Sequence, residues 1–478
     1  MKPFFAIFII LFTMAFTPRL PAQGSEVQSS KSSIAEGLWE GSLTLRQSTG
    51  ASGAGGSSLS QGSLSSGMRL KILAKNMGAL LDIPDQSMFG YPLDDVTWTG
   101  ARVRFSFDAL GPGEELSFDG FFSASAGVRS SAGAATSSGA IIGTASAASW
   151  KGSFLLSRAA TVPVPGETSL SVPTEEGSLP GTLRLPDSGQ AYPPILLLLS
   201  GAGTTDRNGN NYNVPGRSDC LSMVAEALSA RGVATFRYDK RGSGEAYMLE
   251  RQGMTTSLLK HADDAAHVLK FLSSLDRFSR ITVMGMNEGA WSGAAAINRL
   301  EHEGVSIDGF AAVDASGEEP LNELKSSLDG LEEGVRAEAE AIVRALKAGE
   351  AFEAPSEALA DFFAASRREW LEAWLSFKPA DEIARLKAPV LFIYGSADLQ
   401  VPRAAFEKLL DARPTSAVRL IPSMNYTLKM VRTEEENYDS FTNPSYPLAD
   451  GLVELLAAWA KAKPLPQGSQ PYERLKED

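Results

Sequence analysis

The sequence predicts an α/β fold, a mostly parallel sheet with helices on both faces, preceded by a small all-β domain. Three observations carry this. Residues 37–157 alternate apolar and polar side chains in short runs separated by turn residues. From about residue 177 strand and helix patterns alternate, and Ile195-Leu-Leu-Leu-Leu199 is apolar throughout, as a strand buried on both faces must be. Ile281-Thr-Val-Met-Gly-Met-Asn-Glu-Gly-Ala290 then reads as a short strand, a tight Gly-x-Asn-x-Gly turn and a small-residue helix. Two glycines let such a turn take a strained path and lift its central side chain above the sheet.

At 478 residues the chain is long enough for two domains. A net charge of -13 over this length argues against a nucleic-acid partner. Met1-Lys-Pro-Phe-Phe-Ala-Ile-Phe-Ile-Ile-Leu-Phe12, followed by Thr17-Pro-Arg-Leu-Pro-Ala-Gln23, has the form of a secretory signal peptide over 1–23, cleaved near Ala22-Gln23. It predicts an exported protein, periplasmic or secreted, whose membrane contact is confined to that segment; the alternative is an uncleaved anchor. No Cys follows the apolar run, which argues against lipid attachment. Cys220 is the sole cysteine, so no intrachain disulfide forms.

In order, residues 24–34 are Ser-, Gln- and Lys-containing and predicted to be loose. The all-β domain spans 24–160. Its strands are Gly37–Arg46, Met68–Leu73, Gly78–Ile83, Val96–Thr99, Ala101–Phe107, Glu115–Phe122, Ala140–Thr144 and Gly152–Ser157, about eight in a sandwich or barrel. Ser/Gly/Ala-rich stretches at 48–67 and 123–139 read as long loops. No titratable cluster marks this domain, so it reads as a binding or packing module. Residues 161–177 read as the join, and the α/β domain occupies 161–478. Its strands are Thr182–Pro186, Pro194–Ser200, Val233–Tyr238, Ile281–Gly285, Gly309–Asp314, Val390–Tyr394 and Ala417–Ile421. Helices are read over Asp219–Ala230, Leu258–Leu275, Ala290–Leu300 and Ala449–Lys463. The charged helical stretch at about 320–386 interrupts the strands where a cap would sit.

Five segments carry a resemblance. They are Ser200-Gly-Ala-Gly-Thr-Thr-Asp-Arg-Asn-Gly-Asn210, Arg237-Tyr-Asp-Lys-Arg-Gly-Ser-Gly244, Gly285-Met-Asn-Glu-Gly289, Gly395-Ser-Ala-Asp-Leu-Gln-Val-Pro402 and Met424-Asn-Tyr-Thr-Leu-Lys429. In this order and spacing, over about 165–463, the chain resembles the α/β-hydrolase group labelled serine aminopeptidase (S33)-like or EstD-like carboxylesterases. The Gly-x-Trp-x-Gly start of the β-domain is also similar to a domain that precedes the hydrolase in some members.

The resemblance implies a Ser on the elbow, a His that takes its proton and an acid that orients the His, in the order Ser, acid, His. The acid position is Asp398 and is intact. The Ser position is Asn287, an amide without nucleophilicity. The His position is Tyr426, whose unperturbed pKa near 10 makes it a poor base at neutral pH. Ser200-Gly201-Ala202-Gly203 follows a central strand, and its N–H groups with that of Glu288 are expected to form an oxyanion hole; the alternative is a plain turn. Asp206, Arg207, Asp239 and Arg241 resemble family residues that brace these loops through ion pairs. His261, His267 and His302 are assigned structural or solvent roles. No His/Cys cluster has ligand spacing, so no metal or cofactor is expected.

Two functions follow. One is an exported pseudoenzyme that binds a small acyl or carboxylate ligand, or a partner, without cleaving it. The other is an active ester or amide hydrolase using a non-standard set drawn from Asp398, Tyr426, Glu288 and Ser292. No motif identifies the ligand or an oligomeric state.

Overall fold

In the computed structural model, residues 36–47, 63–73, 78–93, 96–108, 115–123, 139–251, 257–360, 362–466 and 470–472 are described. Residues 1–23, expected to be a signal peptide, residues 24–34 and most of the two Ser/Gly-rich stretches lie outside them. Two compact units divide at Pro163/Val164.

The first unit is a nine-stranded antiparallel sheet: β1 (Gly37–Gln47), β2 (Ser63–Ile72), β3 (Ala79–Ile83), β4 (Met88–Leu93), β5 (Thr97–Thr99), β6 (Arg102–Asp108), β7 (Glu115–Ser123), β8 (Ala140–Ser146) and β9 (Trp150–Arg158). Their order is β4-β3-β2-β1-β9-β8-β7-β6-β5, a meander whose first and last strands pair in the middle. One face is apolar at every second residue, as in Leu116 and Phe118 between exposed Glu115 and Ser117. That face buries Trp39, Leu70, Phe105, Phe118 and Phe154 in one core. The sheet curls until Tyr91 of β4 meets Phe107 of β6, ring centroids 5.6 Å apart. Gly41 allows the tight coil: a Cβ there would stand 1.8 Å from the Leu155 carbonyl oxygen. The architecture is thus one curled sheet, where sequence patterning left a sandwich or barrel open. The pattern missed β4, and the loop assigned to 48–67 ends earlier, because Ser63–Gly67 pair with β1 through their backbone.

The second unit holds β10 (Glu167–Thr174), β11 (Gly177–Arg184), β12 (Ile195–Leu199), β13 (Ala234–Tyr238), β14 (Ile281–Met286), β15 (Gly309–Val313), β16 (Val390–Gly395), β17 (Ala417–Ile421) and the short β18 (Gln470–Pro471). Their order is β10-β11-β13-β12-β14-β15-β16-β17-β18, parallel from β13 through β17. In β12 the side chains of 195, 197 and 199 enter one core and those of 196 and 198 the other. Burial on both faces explains the unbroken apolar run. The join predicted at 161–177 is corrected in part: residues 167–174 are the edge strand of this sheet. Pro173 is tolerated there because an edge strand has one side without a ladder.

The chain leaves β12 to lay β13 on one side of it and β14 on the other. A crevice opens at the carboxyl ends where the order reverses, the place where open α/β sheets bind ligands. Over it sits a cap of three helices, Pro320–Leu328, Glu333–Ala348 and Arg368–Ser376, with a core that includes Leu258 and Trp291. The cap is shorter than the 320–386 predicted. Helix Pro379–Arg385 packs instead on the helices Glu288–His302 and Arg403–Ala412, outside the sheet. A mixed sheet of this order with a strand-turn-helix elbow at its centre is an α/β-hydrolase architecture.

Candidate functional site

The elbow is formed by β14, Asn287 and the helix Glu288–His302. Asn287 has φ 49° and ψ -120°, a conformation an L-residue rarely holds. Its N–H donates to the Val313 carbonyl at 3.1 Å, and its carbonyl accepts from Ala290 N at 2.9 Å. Gly289 is needed because a Cβ there would stand 2.5 Å from the Ser200 carbonyl oxygen. The backbone of a nucleophile elbow is therefore present, strain included, with an amide at its tip.

Asp398 lies just past β16. Its Oδ1 accepts the N–H groups of Gln400 (2.6 Å) and Val401 (3.2 Å). Its Oδ2 is buried and has no partner. An orienting acid would present this second oxygen to an imidazole N–H. Tyr426 occupies the imidazole's place in sequence, but its hydroxyl goes elsewhere. The phenol lies over Gly201, 2.6 Å from where a Cβ at that position would be. The hydroxyl thus sits against the oxyanion loop. Burial pushes its pKa upward, with the Asp398 and Glu288 charges adding to the effect. The ring stacks on Phe441, centroids 6.0 Å apart and 5° from parallel. Its loop is held rigid by buried Asn425, which donates to Asn437 Oδ1 (3.1 Å) and Ser440 Oγ (2.7 Å) and accepts from Lys429 N (3.1 Å).

The oxyanion loop closes on itself. Ser200 Oγ donates to the Thr205 carbonyl at 3.0 Å, and Thr205 Oγ1 to the Ala202 carbonyl at 2.7 Å. Gly203 supplies a positive φ of 65°. Lys240, buried below, donates its ammonium to the Gly201 carbonyl. Around it the bracing residues divide their work. Arg207 pairs with Asp239 (2.5 Å) and Glu245 (2.9 Å). Arg241 pairs with Asp264 (2.8 Å) and Glu176 (2.6 Å). Asp206 departs from the expected ion pairing: its carboxylate accepts the N–H groups of Asn208 (2.8 Å) and Asn210 (2.9 Å), a turn within its own loop. Burial, with the Asp239 charge behind it, pushes its pKa up to about 7.

Sequence reasoning missed a second acid. Asp314 follows β15 at φ 43°, fully buried, and accepts Gly395 N at 2.6 Å through Oδ1, while its Oδ2 is also without a partner. No motif marks it; only the adjacency of β15 and β16 brings it to the acid site. Burial pushes Asp398 up to about 7. Burial and the Asp398 charge together raise Asp314 well above the carboxylate range. Both groups bind protons more tightly folded than unfolded, where Asp titrates near 4. Their contribution to stability is thus fully present below about pH 4 and is lost as pH rises toward 7. Asp398→Asn, which keeps an oxygen for Gln400 and Val401 N–H, is expected to raise the Tm above wild type at pH 8 and to leave it unchanged at pH 4. Thermal unfolding at both pH values checks this; an equal shift at both would refute it.

The remaining predicted residues are apart from this chemistry. Ser292 Oγ turns back to the Gly289 carbonyl at 3.4 Å. His267 Nδ1 meets the Asp263 carbonyl at 2.8 Å. His261 Nε2 is buried without a hydrogen-bond partner; burial first, then the Lys240 and Arg241 charges, push its pKa down to about 3. Beneath the cap a cavity of about 550 Å³ opens onto Asn287, Glu288, Ala202 and Tyr426. Trp291 and Trp374 form part of its wall, and Trp374 Nε1 donates to Glu288 Oε1 at 3.1 Å.

The sequence matches no protein-family model and no curated protein. Among solved structures it is similar to Est1E from Butyrivibrio proteoclasticus, at 16% identity over 62% of this chain and 96% of that one, with a TM-score of 0.37. The esterase domain of a Rhodothermus marinus protein gives 15% identity, 62% and 98% coverage and a TM-score of 0.37. Dienelactone hydrolase from Anabaena variabilis gives 16%, 63%, 98% and 0.37. These are likenesses only, and the fold assignment stands on the strand order and elbow of this chain.

Proposed function

We propose that this chain is an exported α/β-hydrolase-fold pseudoenzyme that binds a small molecule in the cavity under its cap and has lost Ser-type hydrolysis. The observation that carries the reading is the state of the three triad positions. The elbow presents an amide, the acid keeps a buried oxygen with no base on it, and the residue in the base position lays its hydroxyl over Gly201 of the oxyanion loop. Attack on an ester needs a nucleophile, a proton acceptor and vacant oxyanion donors. Asn287 supplies no nucleophile, Tyr426 is driven away from ionising, and its phenol stands over the oxyanion loop. The non-standard hydrolase is disfavoured by the same geometry: Asp398 Oδ2 holds neither a hydroxyl nor an imidazole, and Ser292 points along its own helix. Export rests on the form of residues 1–23.

The test is turnover of short p-nitrophenyl acyl esters by the mature protein beside Asn287→Ala. Both are expected to match buffer. A wild-type rate well above buffer that survives Asn287→Ala would overturn the reading and direct attention to another nucleophile.

A further inference from the structure

The cavity also carries information about what fills it, an inference that rests on the ligand-binding reading above. An acyl or carboxylate ligand was the expectation from sequence, because an intact oxyanion loop favours an anion. The structure turns that around. The Tyr426 phenol stands over Gly201 of that loop, and the cavity wall bears three carboxyl groups, Glu288, Glu318 and Glu323, with no Lys, Arg or His among its described lining residues.

The three acids differ. Glu318 pairs with Lys408 and accepts from Asn322 at 2.8 Å, so its charge is met from outside the cavity. Glu288 accepts Trp374 Nε1 through Oε1 and lies within the field of Lys240, whose ammonium is turned to the Gly201 carbonyl. Glu323 feels the charges of Glu288 and Glu318. Burial, ahead of those charges, lifts it to about 7, and burial lifts Glu288 as well. Two carboxyl groups on the wall of one cavity destabilise each other when ionised, and a cation between them removes that cost. The rest of the wall is suited to the same charge. Trp291, Phe362, Trp374 and Phe441 line the cavity. Trp291 Nε1 is already spent on the Ser316 carbonyl at 2.7 Å. Aromatic faces attract ammonium groups and repel carboxylates.

We propose that the cavity takes an apolar molecule bearing a protonated amine, with Glu288 and Glu323 binding the ammonium and the capped aromatic wall holding the apolar body. An anion of the same size meets repulsion from both acids in a poorly solvated space.

The test is a matched trio differing in one head group, 4-phenylbutylamine, 4-phenylbutanol and 4-phenylbutyrate, titrated into the mature full-length protein at pH 8 by calorimetry. The amine is expected to bind at least ~10-fold more tightly than the alcohol, and the carboxylate most weakly. Glu323→Gln and Glu288→Gln are each expected to weaken the amine by ~10-fold and leave the alcohol unchanged. Equal affinities for amine and alcohol, a preference for the carboxylate, or no binding of the amine would overturn the proposal. An unchanged amine preference in both Gln variants would also overturn it. The parent reading fails by a different signal, ester turnover by the wild type, which these titrations do not measure.

Discussion

Asn287→Ser together with Tyr426→His is expected to give a measurable esterase, with kcat/KM for p-nitrophenyl acetate rising at least ~10³-fold over wild type. The reasoning is geometric. The elbow already holds residue 287 at φ 49°, the strained posture that lifts a nucleophile above the sheet. Asp398 Oδ2 is buried with no partner, so an imidazole N–H at 426 would satisfy an orphaned acceptor. Removing the phenol clears the space over Gly201 in the oxyanion loop. An imidazolium beside Asp398 would also draw that carboxyl back toward ionisation, which the triad requires. Neither single change is expected to act. Asn287→Ser alone leaves the phenol in the oxyanion site and no base. Tyr426→His alone leaves no nucleophile. Such non-additivity is the signature of groups that work as a unit. A folded double variant with no gain over wild type would show that the N–H groups of Ala202 and Glu288 no longer converge on one point, and the idea of a preserved catalytic frame would fall.

The parts of this frame that could be read from sequence share a property: each is set by local backbone chemistry. Glycines at 285 and 289 bracket the elbow because the turn brings backbone atoms too close for a Cβ, and that constraint is visible in a one-dimensional string. The doubly buried β12 is visible for the same reason, since both of its faces need apolar side chains. What escaped reading is set by loops meeting in space. Asp314 reaches the acid site only through strand adjacency. Trp374 and Glu323 reach the cavity only because the cap folds back over the elbow. Tyr426 could be aligned with the His position of the resembled family, yet nothing in its neighbourhood of sequence says that its hydroxyl lies over the oxyanion loop. The β10 strand was missed because an exposed edge tolerates Pro and Ser, the same residues that mark a linker.

Asp264→Ala is expected to cost about 3 kcal/mol of stability. Arg241 and Asp264 side chains are both 2% exposed and share two hydrogen bonds of 2.8 Å. Attraction and the desolvation penalty nearly cancel for such a pair, so its presence adds little. Breaking it is another matter, because the guanidinium is left in the core with only Glu176, which is 30% exposed, as a partner. The consequence reaches the site. Arg241 anchors the turn after β13 that carries Lys240, and Lys240 holds the Gly201 carbonyl of the oxyanion loop. Chemical denaturation checks the stability term, and amine binding by the surviving folded fraction checks the connection to the cavity. Asp264→Leu combined with Arg241→Met provides the control. Removing both charges with apolar groups of similar volume is expected to recover most of the lost stability, since the penalty lies in the stranded cation. A double variant as unstable as Asp264→Ala would mean that the cost comes from packing around the helix Leu258–Ser274, and the electrostatic account of this brace would be wrong.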